Sequence, residues 1–180
     1  EQILDIQIDH VEYLEKQKSI DMKIDAKGVR LDIYMSDGKT VYNVEMQTSS
    51  NKNLPRRSRY YRYYQGQIDM NLIAKGENYN KLKKSFVIFI CSFDPFGKDR
   101  YVYSFENICK GENSDDDIFL QDEAYKVFIN TKGTKGNVSD NFKELMDYFN
   151  NSENAKSSKN PLVHSIDAAV QSARNNEEWR

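Results

Sequence analysis

Alternating apolar and polar positions predict a strand hairpin in the first third of the chain. Val29, Leu31, Ile33 and Met35 alternate with Arg30, Asp32 and Tyr34, and Asp37-Gly38 follows as a hairpin turn signal. The returning strand, Thr40 to Gln47, sets Val41, Asn43, Glu45 and Gln47 on one face and Tyr42, Val44 and Met46 on the other. Upstream, Leu4 to Leu14 alternates less regularly and predicts a strand or two short extended pieces. Asn53 is placed to cap a helix with Pro55 in its first turn, and the pattern runs on to Ala74 before Lys75-Gly76 stops it. Along that helix Tyr60, Tyr64, Ile68 and Leu72 recur every four residues, a stripe expected to lie on a sheet.

Ser85 to Phe93 is apolar almost throughout, as in a central strand covered on both faces. Tyr101 to Phe105 and Tyr125 to Asn130 read as further strands, with an acidic loop at Glu112 to Asp117 between them. Val138 to Phe149 has helical spacing, with Ser139 and Asp140 as capping candidates. Residues 151–160 are polar and read as a linker; Leu162, Ile166, Ala169, Val170 and Ala173 then outline a last amphipathic helix. The expectation is an α/β domain over 1–150, a linker over 151–160 and a helix over 161–180 that the chain cuts short.

With 180 residues the chain is long enough for one domain with a buried core. No apolar run approaches the ~20 residues of a membrane helix, and Glu1 to His10 lacks the features of a signal peptide, so a cytoplasmic protein is expected. Cys91 and Cys109 stand in no metal-type spacing, and both are expected in the core. His10 and His164 are isolated, and Asp115-Asp116-Asp117 lacks the spaced ligands of a calcium loop. The formal net charge of −2 offers no general attraction for nucleic acid, so any such contact must be local.

Candidate chemistry centres on the hairpin. A two-residue turn at Asp37-Gly38 would set Asp32 opposite Tyr42 or Asn43, leaving Glu45 offset by about two pairs, some ~7 Å of rise. Two carboxylates could still approach one cation, and the Met46 carbonyl would lie between Glu45 and Gln47 as a neutral oxygen ligand. Such an oxygen set suits Mg²⁺, which takes one or two carboxylates and fills its shell with water and substrate phosphate. From Met46 to Ile68 there is no acid, while Lys52, Arg56, Arg57, Arg59 and Arg62 are interleaved with tyrosines. That combination suits a phosphate backbone. The competing reading is a helix whose arginines are merely solvated; Tyr60 and Tyr64 are expected to be core in either case.

The segments Lys27-Gly28-Val29-Arg30-Leu31-Asp32-Ile33-Tyr34, Tyr42-Asn43-Val44-Glu45-Met46-Gln47, Tyr64-Gln65-Gly66-Gln67-Ile68-Asp69 and Phe86 to Phe96 resemble the recombination-promoting nuclease and transposase family of PD-(D/E)XK proteins. Tyr103-Ser104-Phe105-Glu106, Asn130-Thr131-Lys132-Gly133 and the tail from Ala173 continue the resemblance over nearly the whole chain. It implies a restriction-endonuclease-like core, a mixed central β-sheet flanked by helices, with a C-terminal helical extension. It further implies a DNA endonuclease using Mg²⁺ or Mn²⁺ and leaving 5′-phosphate and 3′-hydroxyl ends. Asp32 matches the motif aspartate, Glu45 the motif acid and Gln47 the lysine position, while Gln65 matches the place of an accessory polar residue. Glutamine carries no charge and cannot act as a base, so Gln47 is expected to orient water by hydrogen bonding. The family's upstream helix, a source of a further acid, is expected to fall outside the chain, and self-association through the surface so exposed would follow. The alternative from another class is a catalytically silent DNA-binding or assembly module that keeps the fold.

Overall fold

The computed structural model describes residues 12–16, 19–20, 29–30, 33–50, 52–70 and 73–175. Six strands form a mixed sheet in the spatial order β1 (Glu12–Lys16), β4 (Ile33–Ser36), β5 (Thr40–Gln47), β6 (Lys84–Cys91), β10 (Ala124–Asn130) and β7 (Val102–Phe105). The pairs β5–β6 and β6–β10 are parallel; the β1–β4, β4–β5 and β10–β7 pairs are antiparallel. Two small ladders stand apart, β2 (Ser19–Ile20) with β3 (Val29–Arg30) and β8 (Ile108–Cys109) with β9 (Ile118–Phe119). Three α-helices complete the described residues: α1 (Leu54–Met70), α2 (Asp140–Asn150) and α3 (Pro161–Asn175).

Parallel strands need a crossover, and α1 supplies it between β5 and β6. The sheet is therefore covered on both faces, which is why β6 reads as an unbroken apolar run. Val41, Val87, Phe89, Cys91 and Phe128 pack with Leu54 and Tyr61 of α1. On the opposite face Tyr42, Phe86, Ile88, Ile90, Val127 and Ile129 pack with Phe142, Leu145 and Met146 of α2 and Val163 of α3. Ser139 caps α2 as expected, its hydroxyl accepting from the Phe142 amide at 3.1 Å.

Several expectations are corrected. The packed face of α1 runs through Leu54, Ser58 and Tyr61, while Tyr60 is 37% exposed. Leu54 and Tyr61, two turns apart, outweigh the tyrosine stripe because they meet Phe89 and its neighbours; Tyr61 sits edge-on to Phe89 at 5.6 Å. Tyr64, Ile68 and Leu72 give no test, since their side chains lie outside what is described. Helix α1 is described as far as Met70 and does not reach Ala74, since Ala74 to Glu77 forms a turn in which the Glu77 amide donates to the Ala74 carbonyl at 3.1 Å. Cys109 is exposed because its strand belongs to the small ladder and not to the central sheet. In α3 the buried position is Val163, with Leu162 40% exposed.

Residues 151–160 are ordered by a 3-10 turn (Ser152–Lys156) and by Glu144 of α2. One carboxylate oxygen of Glu144 accepts from the Ser158 hydroxyl at 2.5 Å and from the Lys159 and Asn160 amides at 2.6 and 2.9 Å. Of residues 4–14, only 12–14 are described, and they lie in β1.

The turn after β6 is built on Asp94. Its carboxylate accepts from the Tyr103 hydroxyl at 2.6 Å and from the Phe96 and Asp99 amides at 3.0 and 2.7 Å. Desolvation alone would raise its pKa, but these hydrogen bonds to the charged form outweigh it and lower the value from 3.8 to about 2. A depressed carboxylate stabilises the fold above its unfolded value, and the contribution is lost as pH falls from 3.8 towards about 2. Asp94→Asn should therefore lower Tm at neutral pH and flatten the fall in Tm across that acid interval. Parallel Tm–pH curves for the two proteins would contradict this role for Asp94.

Candidate active site

Register decides which residues of the hairpin can act together. The two-residue loop is Gly38-Lys39, one position later than the Asp37-Gly38 signal predicts, because Asp37 is used as a clamp. Its carboxylate accepts from the Lys39 and Thr40 amides at 3.0 and 2.7 Å and from the Tyr42 hydroxyl at 2.8 Å, while its own amide donates to the Thr40 carbonyl. Gly38, with φ +89, takes the left-handed first loop position. Moving the loop by one residue moves the pairing by two, so Tyr34 faces Asn43 and Ile33 faces Val44. The expected register, with Glu45 two pairs away from Asp32's partner, is thereby corrected. Asp32 itself lies outside the described residues; it directly precedes Ile33, as Glu45 directly follows Val44.

Glu45 and Gln47 occupy the last turns of β5, where it runs parallel to β6 with Glu45 beside Phe89 and Gln47 beside Cys91. The carboxyl ends of adjacent parallel strands are the usual place for a site in open α/β sheets. Glu45 is 1% exposed and Gln47 is 7% exposed. Above them, α1 brings Arg57 and Tyr61. The Arg57 guanidinium donates to the Gln47 amide oxygen at 3.0 Å and to the Tyr61 hydroxyl at 2.8 Å, and lies 5.2 Å from the Tyr61 ring centroid. Tyr61 is in turn hydrogen-bonded with Glu45. Burial pushes its hydroxyl pKa up, Arg57 pulls it down and Glu45 raises it again, so the phenol keeps its proton. The Gln47 amide nitrogen donates to the Met46 carbonyl at 2.7 Å.

The cations of the basic segment divide into two sets. Lys52, Arg56 and Arg59 are exposed, together with Tyr60 and Tyr63. Arg57 and Arg62 are half-buried and turned inward, Arg62 donating to the Ser85 hydroxyl at 2.8 Å. Of the five cations expected to meet nucleic acid, three are thus exposed, while Arg57 and Arg62 are hydrogen-bonded to residues of β5 and β6. Gln65 lies in α1 one turn beyond Tyr61, and its side chain is outside what is described.

Two side chains escape a reading by sequence. Tyr61 has the signal Arg57-x-x-x-Tyr61, one helical turn, hidden among three other tyrosines. Asn43 shares the face of Glu45 and Gln47 and is 1% exposed, yet neither its Oδ1 nor its Nδ2 has a hydrogen-bond partner among the described residues. An unpaired buried amide costs about 1–3 kcal/mol, so its retention calls for an account outside stability. Asn43→Leu, of similar volume, should raise Tm by about 2–4 °C per kcal/mol recovered in a chain of this size while lowering any activity of the site. A fall in Tm, measured by thermal unfolding, would contradict it.

Glu45, the Met46 carbonyl and Asn43 are oxygen donors, so the site fits a hard divalent cation and not a soft one. Among the described residues no three His, Cys, Asp or Glu side chains come together.

A mixed sheet with a helical crossover, and a buried acid and amide two residues apart at the carboxyl end of one strand, define a restriction-endonuclease-like α/β domain. Comparison with known families agrees: residues 1–177 match the PD-(D/E)XK nuclease family transposases, and the chain belongs to that family. No match was found to a curated protein or to a solved structure. No helix among the described residues is long and apolar enough to cross a membrane.

Proposed function

We propose that this chain is a divalent-metal DNA endonuclease acting through Asp32, Glu45 and Gln47. The observation that carries the reading is the buried Glu45 beside Gln47, in a ladder whose last described pair, Ile33 with Val44, stops one residue short of both motif acids. Asp32, Glu45 and the Met46 carbonyl would hold Mg²⁺ or Mn²⁺. Such a cation, when bound, lowers the pKa of water and offsets charge on the phosphoryl oxygens. Gln47 orients the attacking water by hydrogen bonding, and the attack breaks the P–O3′ bond to leave 5′-phosphate and 3′-hydroxyl ends. Lys52, Arg56 and Arg59 neutralise the DNA backbone from the exposed side of α1 and the turn before it, with Tyr60 and Tyr63 adding stacking surface. Gln65 is an accessory polar group to the same site.

The test is conversion of supercoiled plasmid to nicked and linear forms with Mg²⁺, Mn²⁺ or chelator. The reading requires cutting with either metal and none with chelator. DNA binding without cutting in any metal would instead favour a silent module, a reading to which the uncharged Gln47 lends weight.

A further inference from the structure

We infer that Arg57 is a positioning residue that, together with Gln47, stands in for the single cation expected at the lysine position, and that it is not a DNA contact. This rests on the nuclease reading above.

The Arg57 guanidinium has donors only. At 3.0 Å from Gln47 it can be met only by the amide oxygen, so the orientation of the Gln47 carboxamide is set by chemistry. The amide nitrogen must then lie on the far side, where one N–H goes to the Met46 carbonyl at 2.7 Å. The second N–H is left as the group Gln47 offers to the site. A lysine ammonium also offers only donors, and it does so with positive charge. Here the charge sits one bond network away, on Arg57, and polarises the amide through the hydrogen bond it makes to the oxygen. Arg57 is further pinned by the Tyr61 hydroxyl at 2.8 Å and by the Tyr61 ring, and Tyr61 also meets Glu45. One guanidinium therefore sets the geometry at both β5 site residues. Its inward commitment distinguishes it from Arg56 and Arg59, which are exposed on the same helix.

The experiment compares wild type with Arg57→Met, Arg57→Lys, Gln47→Lys, the Gln47→Lys/Arg57→Met pair and Arg59→Met. The readouts are cleavage kinetics, DNA affinity against salt and thermal unfolding. Arg57→Met should lower kcat by about 10²-fold, on the scale of losing one preorganised donor, with DNA affinity and its salt slope unchanged. Arg59→Met should weaken binding and reduce the salt slope by about 0.9, the value of one phosphate contact on duplex DNA. Gln47→Lys alone should be poorly active, since it sets an ammonium against the guanidinium; adding Arg57→Met should restore cutting to within about tenfold of wild type. Arg57→Lys keeps the charge but not the two-pronged donor geometry and should fall between.

If Arg57→Met behaves like Arg59→Met, or if the paired variant is no better than its parents while folded, the inference is overturned and the nuclease reading stands. If wild type does not cut, the nuclease reading falls and this one with it. Rescue by the pair also answers the concern that Arg57→Met simply unfolds, because the pair carries the same loss.

Discussion

Glu45→Gln is expected to abolish DNA cutting while leaving DNA binding close to wild type. The side chain is 1% exposed and lies beside Gln47 at the end of β5, so an amide of the same shape fits without disturbing the core. What it removes is the negative charge that would hold the cation. Losing metal-borne stabilisation of the phosphoryl charge is worth several kcal/mol, on the order of 10³-fold or more in rate. On the proposed reading DNA affinity would be set elsewhere, by the exposed Lys52, Arg56 and Arg59, and its salt dependence should be unaltered. Single-turnover cleavage and a salt-titrated binding assay on the same preparations check both halves. Retained cutting would mean that Glu45 is a buried structural acid satisfied by Tyr61.

Gly133→Ala should give a large loss of stability for one added methyl group. The chain passes so close to Tyr101 there that a Cβ would lie 2.5 Å from the Tyr101 Cα and 2.6 Å from its nitrogen. Neither backbone can yield cheaply: the Tyr101 amide donates to the Lys135 carbonyl at 2.9 Å and the Tyr101 carbonyl accepts from Asn130 at 2.8 Å. The neighbouring Thr131 is tied to Asn150 of α2 through its hydroxyl at 2.7 Å and its carbonyl at 2.6 Å. Overpacking of this kind costs about 1–3 kcal/mol, at roughly 2–4 °C per kcal/mol for a chain this long, so a fall of about 5–10 °C in Tm is expected. Gly66→Ala supplies the contrast, since a Cβ there meets nothing within 4 Å and the residue lies inside α1. The same chemical change should raise Tm there, by limiting the unfolded chain. Equal effects at the two glycines would contradict the packing argument.

The strands that carry the site were legible because each has a period imposed by its surroundings. β5 begins and ends at Thr40 and Gln47 as its alternation predicts, and β6 shows the unbroken apolar run of a strand covered on both faces. The hairpin register was not legible. It depends on whether Asp37 sits inside the loop or clamps it from outside, and that is settled by side-chain hydrogen bonds to Lys39, Thr40 and Tyr42. The inward turn of Arg57 was hidden for a similar reason. In sequence it is one of four arginines in seven residues, and only the packing of Leu54 and Tyr61 on the sheet fixes which of them points at β5. Asn43 was visible as a polar residue on the Glu45 face, but its lack of partners is a property of the packed core.

The most direct test of the central claim is a cleavage time course at saturating Mg²⁺ for wild type, Asp32→Asn, Glu45→Gln and the double variant. If the two acids hold one cation, each single variant loses cutting to a similar extent and the double variant is no worse than either, as groups acting as a unit are not additive. Cutting at the wild-type rate by Asp32→Asn, with Glu45→Gln inactive, would contradict a shared site and require a different second ligand.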